Sequence, residues 1–160
     1  MRVVTCRAGK PSPGSEAEVC WTNRPLRTHA AVAVPLAVAT VNDALSFAKE
    51  AAAPYAKQGF TVREDAWGGD LGVKDQQAVT AQLFRGNEYW FWLATDTRGA
   101  VITVHVYDSD GKLAESEFWQ KGRFAAAKVT PAKTGAFYAI VTVEKSPQER
   151  SNWALVYGYR

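Results

Sequence analysis

The run from Asn87 to Thr142 constrains the fold more than any other part of the chain, because strand-like segments follow one another with only turns between them. Three segments carry the pattern: Glu88–Asp96, Ala100–Leu113 and Thr130–Thr142. Each segment is typical of a strand, and Asp-Gly and Thr-Gly pairs supply the turns. Short strands joined by glycine turns are typical of an antiparallel sandwich, whereas a βαβ enzyme needs a helix between successive strands. The sequence therefore predicts an all-β fold.

We predict a jelly-roll-like antiparallel β-sandwich of about eight strands, which occupies residues 60–160. The predicted strands are 60–67, 77–84, 88–95, 100–108, 112–118, 123–129, 136–144 and 152–159. Period-two alternation then assigns the residues that face the core. They are Val79, Ala81, Leu83, Tyr89, Phe91, Leu93, Ile102, Val104, Val106, Phe137, Ala139, Val141, Val143, Trp153, Leu155, Tyr157 and Tyr159.

The segment 41–59 has a helical pattern instead. Its apolar residues recur at spacings of three and four: Leu45, Ala48, Ala52 and Tyr55. Asn42 or Asp43 is expected to cap its N-terminus, Pro54 to kink or end it, and Gly59 to stop it. Because the stripe is mostly alanine, we expect weak burial, with the helix lying on the sandwich or forming a stalk.

Residues 1–40 have the layout of a leader. The apolar stretch Ala30–Ala39 follows Arg24 and Arg27 and ends in Ala-Val-Ala, as in a secretory signal with an A-x-A cleavage site. It is too short to span a membrane. The segment before it is longer than in ordinary signals, which suggests a translation start near Val19; the alternative is a disordered tail that is never cut. The leader predicts a periplasmic or secreted protein.

The net charge of +3 lies entirely within residues 1–40, where five basic residues face two acidic ones. The rest of the chain is neutral, so a nucleic-acid partner is not expected, since phosphate binding needs basic residues clustered in the folded part. Cys6 and Cys20 also lie in the leader and have no histidines suited to complete a zinc site. We predict a monomer without a transmembrane segment.

Three motifs resemble the bacterial pre-peptidase C-terminal domain over residues 60–160. They are Gly-x-x-Tyr-x-Phe-x-Leu at 86–93, Val-Tyr-Asp-Ser-Asp-Gly-Lys-Leu at 106–113 and Thr-Pro-x-x-Thr-Gly-x-Phe-Tyr at 130–138. The resemblance implies a small secreted jelly-roll module that aids secretion, anchoring or substrate binding. Such modules often accompany proteases, whereas this chain carries no catalytic domain beside it.

The Asp108–Lys112 segment has the oxygen spacing with which calcium loops begin, and the resemblance implies calcium in some relatives. The glutamate that an EF-hand loop needs at its twelfth position would be Trp119 here. Asp-Gly between strands is more simply a hairpin turn. We favour the turn, with calcium at Asp108 and Asp110 as the alternative.

Trp90 and Trp92 are the candidate ligand-binding residues. Alternation places both indoles on the face opposite the core, where exposed aromatic rings could stack on sugars or dock a partner. The other interpretation is cover by the helix or by Trp119. We favour cover, since large exposed apolar patches are uncommon on monomers.

Catalytic residues are not expected. His105 is the only histidine after the leader, and alternation places it on the outward face with Thr103 and Tyr107. Glu115 and Glu117, two apart on a predicted strand, should share a face. Neither a Gly-x-Ser-x-Gly elbow nor a His-Glu-x-x-His motif occurs.

The sequence thus predicts a non-enzymatic, exported β-sandwich module with a binding role or a structural role in the envelope or at the surface, partnered by protein or polysaccharide. The alternative is a carbohydrate- or polymer-binding module that uses Trp90, Trp92 and Trp119. A weaker alternative is a hydrolase, which would require His105 to meet a carboxylate and a hydroxyl in one pocket.

Overall fold

The computed structural model describes residues 40–160, in which one helix precedes eight strands. The helix α1 spans Val41–Ala56. The strands are β1 (Thr61–Gly72), β2 (Gln76–Leu83), β3 (Tyr89–Thr95), β4 (Val101–Tyr107), β5 (Glu115–Lys121), β6 (Phe124–Val129), β7 (Gly135–Lys145) and β8 (Arg150–Tyr159). The predicted leader, including both cysteines, lies outside the described residues.

Two antiparallel sheets form a sandwich. The larger sheet has the strand order β1-β8-β3-β6-β5, and the smaller has the order β2-β7-β4. The predicted β-sandwich of eight strands is therefore confirmed. The largest difference is at β1, which runs to Gly72 because Gly68–Gly72 stays paired with β8 although glycine has a low strand propensity. Tertiary pairing outweighs local propensity in this strand.

The main core lies between the two sheets, and every residue predicted to face inward belongs to it or packs against it. Phe91, Leu93, Val104 and Val141 are completely buried, and Tyr157 stacks on Phe91 with ring centroids 5.6 Å apart. Each buried ring or branched side chain of this kind contributes about 1.5–3 kcal/mol of transfer free energy. Period-two alternation identified the core residues of β2, β3, β4, β7 and β8, but Leu71 of β1 and the β6 residues Ala125, Ala127 and Val129 were not predicted.

The N-terminus of α1 differs in detail from the prediction, whereas its C-terminus agrees with it. The N-cap is Thr40 rather than Asn42 or Asp43, and the Asp43 carboxylate accepts the Thr40 backbone N–H at 2.9 Å. This is the reciprocal half of a capping box, for which an acid three residues into the helix is suited. Pro54 lies in the last turn, and the chain reverses at Gly59, whose φ of +92° suits glycine alone.

The helix packs on the outer face of the larger sheet and closes a second core. Its Ala44, Ala48 and Ala52 are completely or almost completely buried. The sheet beneath the helix is also lined by small residues: Ala94, Ala126 and Ala154. Small side chains on both surfaces let the two backbones approach closely. This close contact compensates for the small apolar area of each alanine. The stalk alternative and the expectation of weak burial are therefore wrong.

At Val106, the free edge of β4 is covered by Ala114 and by Glu115, the first residue of β5. The Val106 N–H donates to Glu115 Oε2 at 3.0 Å, and the Ala114 N–H donates to the Val106 carbonyl at 2.8 Å. Covered edges of this kind resist pairing with other chains.

Within residues 40–160, no helix has the length and apolar character needed to cross a membrane.

Candidate functional site

Trp90 and Trp92 are not exposed, because α1 covers them. Trp90 is 5% exposed and Trp92 is fully buried, and the Tyr55 ring lies 4.9 Å and 5.2 Å from their respective rings. An exposed indole pair is therefore ruled out, and cover by the helix is confirmed. Trp90 nevertheless contributes to the wall of a neighbouring cleft.

A cleft of about 620 Å³ opens where the C-terminal end of α1 meets β5, β6 and the end of the chain. We call it the aromatic cleft. Its lining residues are Ala51, Pro54, Tyr55, Gln58, Phe60, Trp90, Glu117, Trp119, Lys128 and Arg160. Aromatic rings beside charged groups are typical of sites that fix a ligand by shape and a few polar contacts.

Trp119 supplies the accessible indole of this cleft. It is half-buried on β5, and its Nε1–H donates to the Tyr55 hydroxyl at 3.0 Å. The hydrogen bond joins the edge strand to the helix and holds the indole in one orientation. A ring that is fixed before binding loses little conformational entropy when a ligand packs on it.

The register of the larger sheet places the polar rim of the cleft beside this aromatic wall. Gly158, Trp90, Lys128 and Glu117 lie directly opposite one another across four adjacent strands. A Cβ at Gly158 would lie 2.8 Å from the Thr61 carbonyl oxygen, closer than real Cβ contacts allow. Glycine at position 158 therefore allows the β1 backbone and the Trp92 ring to lie close to β8.

The rim carries two cations and two carboxylates in alternation. Lys128 Nζ lies 3.0 Å from Glu117 Oε1 and 3.7 Å from Glu88 Oε1, and Arg160 pairs with Glu88. The hydrogen bond from Arg160, aided by Lys128, holds the pKa of Glu88 below its ordinary value. The Arg160 guanidinium also lies over the Phe60 ring, 4.6 Å from its centroid. The rim is thus neutral as a whole but rich in donors and acceptors.

Glu115 and Glu117 do not share a face as alternation predicted. A register irregularity separates them, so that Glu115 lies opposite Val129 and Glu117 lies opposite Lys128. An extra residue in one strand reverses the direction of every side chain that follows it. Glu117 consequently lines the aromatic cleft, whereas Glu115 turns towards β4.

His105 lies on the outward face as predicted, and it has a partner that the sequence did not reveal. Its Nδ1 lies 2.9 Å from Glu115 Oε1, and its ring stacks on Phe118 with centroids 4.9 Å apart. The hydrolase alternative requires a carboxylate and a hydroxyl beside His105. Glu115 supplies the carboxylate, but no hydroxyl of the described residues is hydrogen-bonded to the imidazole.

The Asp108–Lys112 segment forms the predicted turn. Asp108 Oδ1 accepts the N–H groups of Asp110 and Lys112, both at 2.9 Å, and Gly111 has a φ of +75°. This oxygen therefore stabilises the turn itself. Among residues 40–160, no group of three or more potential metal ligands is present.

Four of the aromatic and charged residues that line the aromatic cleft were not predicted as site residues: Tyr55, Phe60, Lys128 and Arg160. Tyr55 was recognised as part of the helical stripe, which was a hint that it packs on the sheet. The other three carried no pattern, because the cross-strand register that brings them together cannot be obtained from alternation alone.

Comparison with protein-family models and with curated proteins gave no match to this chain. The resemblance to the pre-peptidase C-terminal domain therefore stays a prediction that depends on the three motifs.

Proposed function

We propose that this protein is a non-enzymatic, exported β-sandwich module that works by binding, with the aromatic cleft as its site and carbohydrate as its ligand class. The observation that carries the proposal is the pairing of a fixed, half-buried indole, Trp119, with a neutral rim of Glu117, Lys128, Glu88 and Arg160.

The chemistry of the rim favours a ligand that is polar but uncharged. Two cations and two carboxylates cancel, so an anion or a cation gains no net attraction, whereas hydroxyl groups can donate to Glu117 and accept from Lys128 or Arg160. The aromatic wall suits the apolar C–H face of a sugar ring. A neutral polysaccharide satisfies both surfaces at once.

Two further observations support the exported setting. The leader-like segment 1–40 predicts secretion, and extracellular or envelope polymers are accessible only to exported proteins. The resemblance to the pre-peptidase C-terminal domain also implies anchoring or substrate binding.

Trp90 and Trp92 have a supporting role in this proposal, because they pack behind Tyr55 and hold the aromatic wall of the cleft in place.

The test is affinity electrophoresis and calorimetry of the full chain against soluble neutral and anionic polysaccharides. We expect retention by a neutral polysaccharide without release of reducing ends. The Trp119→Ala variant should weaken binding by about tenfold or more, as expected for an aromatic anchor in a binding site. Tyr55→Phe should weaken it less, because only the hydrogen bond to Trp119 is removed.

Phe118→Ala is the matched control. Phe118 neighbours Trp119 on β5, is 40% exposed and faces His105 rather than the cleft. The Phe118→Ala substitution should leave polysaccharide binding unchanged. The proposal fails if a folded chain binds none of the neutral polysaccharides, or if Trp119→Ala and Phe118→Ala behave alike.

A further inference from the structure

The sandwich has an open side between β1 and β2, where a second cleft of about 800 Å³ lies. We call it the seam cleft. Residues 66–70 of β1 and 77–80 of β2 line it, together with Trp153 of β8. It shares no residue with the aromatic cleft.

Both strands that border the seam cleft are sheet edges. β1 ends the larger sheet and β2 ends the smaller one, so each has one side without a neighbouring strand. The backbone N–H and C=O groups on such a side are free to pair with an added strand. Addition of an extended peptide to a sheet edge is a recurrent mode of recognition.

These two edges lack the devices that usually prevent pairing. The β2 strand contains no charged residue, and neither does the stretch Ala66–Gly69 of β1. By contrast, the first half of β1 carries Arg63, Glu64 and Asp65 and has a register irregularity between Val62 and Ala66. Charges and bulges are the common means of protecting an edge, and the one charged residue of β1 or β2 that lines the seam cleft is Asp70, which pairs with Arg150 of β8.

A buried donor without an acceptor lines the same cleft. Trp153 is 3% exposed, and its Nε1–H has no hydrogen-bond partner among residues 40–160. Gly69 lies opposite Trp153 in the β1–β8 register, and a Cβ placed there would be 3.5 Å from Nε1. The missing side chain leaves room beside the donor. A buried N–H of this kind is normally satisfied, and the space beside Nε1 allows a ligand to supply the acceptor.

We propose that the seam cleft binds an extended, uncharged peptide segment of a partner protein, which adds to β1 at Ala66–Gly69 as a further strand. An inward-facing Ser, Thr, Asn or Gln side chain of that segment accepts the Trp153 Nε1–H. The backbone hydrogen bonds provide affinity, and the alternate side chains provide selectivity. This inference is independent of carbohydrate binding at the aromatic cleft.

A partner peptide fits this edge better than a second copy of the chain. Antiparallel pairing of two β1 strands would present Trp67, Gly69 and Leu71 of the second copy on the core side, because directly opposite residues face the same side of a sheet. None of these three residues has a side-chain oxygen that could accept the Trp153 Nε1–H. A peptide with an inward-facing Ser, Thr, Asn or Gln supplies that acceptor.

The test begins with selection of random displayed peptides on the full chain, followed by calorimetry with the resynthesised binders. A twin peptide with alternate N-methylated amides, which cannot donate backbone hydrogen bonds, should bind at least about tenfold more weakly. Gly69→Ala, whose added methyl group lies in ordinary contact distance, should weaken binding by filling the acceptor position. Trp153→Phe should weaken it by removing the donor.

Two spectroscopic readouts locate the site. On addition of the peptide, the Trp153 indole N–H resonance should shift, and hydrogen exchange should slow at Ala66–Gly69. Trp119→Ala should bind the peptide as the unmodified chain does.

The proposal is overturned if no peptide is selected, if the N-methylated twin binds equally well, or if Trp119→Ala abolishes peptide binding. It is also overturned if the chain is a dimer in solution that protects Ala66–Gly69 without added peptide, because the occupant would then be a second copy.

Discussion

Gly158 shows how one residue sets the geometry of the candidate site. It lies between Val62 and Trp90 in the register of the larger sheet, and its Cβ position is crowded by backbone and by the Trp92 ring, 3.1 Å away. The close approach of the chain at this point, rather than a special φ, requires glycine. The indoles that support the aromatic cleft depend on that approach.

We expect Gly158→Ala to destabilise the fold by about 1–3 kcal/mol, the usual cost of forcing a methyl group into a packed site. Urea unfolding measures the change. Gly135→Ala is the matched control, because Gly135 is also in a strand but a Cβ there would meet nothing within 4 Å. Equal stability of the two variants would contradict the packing argument.

At the scale of the element, α1 decides whether the tryptophans of β3 are core or surface. Its buried stripe is made of alanine, and the strand residues beneath it are alanine as well, so the interface depends on close approach rather than on large side chains. Dispersion contacts are lost quickly as such a gap widens. The position of α1 also fixes Tyr55, and through it Trp119.

Replacement of Ala48 by Leu should lift α1 from the sheet and destabilise the protein by about 1–3 kcal/mol, as over-packing of a core does. The near-ultraviolet circular dichroism of the buried indoles should weaken at the same time. Ala53→Leu, on the exposed side of the helix, should have little effect on either property. If Ala48→Leu is as stable as Ala53→Leu, the helix is not closely packed.

At the scale of the whole molecule, ion pairs join distant parts of the chain. Arg160 pairs with Glu88, Arg150 with Asp70 and Lys74 with Glu144. In each case the hydrogen bond from the cation holds the pKa of the carboxylate below its ordinary value. These pairs are exposed, so each one makes only a small contribution to stability.

The direction of the pH dependence follows from these pKa values. A carboxylate with a lowered pKa in the folded state binds its proton more readily when the chain is unfolded, so its stabilising effect is present above the ordinary pKa. For Glu88 the effect should be lost as the pH falls below about 4.5. Glu88→Gln and Arg160→Gln should each reduce the slope of unfolding free energy against pH in this acid range, measured by urea unfolding at low salt. An unchanged slope in both variants would contradict the pairing.

The sequence was sufficient for the sandwich because the core residues of each strand lie two apart, as Val79, Ala81 and Leu83 do on β2 and Trp153 and Leu155 do on β8. It could not reveal the irregularity between Glu115 and Glu117, since one inserted residue leaves no compositional mark. Nor could it locate the aromatic cleft. That site joins residues from α1, β5, β6 and the end of the chain, and only three-dimensional packing and register place them together.

The central claim is that a neutral carbohydrate binds in the aromatic cleft against Trp119. The most direct measurement is a nuclear magnetic resonance titration of the full chain with a soluble neutral polysaccharide, followed through the indole N–H resonances. The account predicts that the Trp119 resonance shifts and saturates while those of Trp67 and Trp153 stay in place. Saturable shifts confined to Trp67 or Trp153, or no shift at any indole, would contradict it.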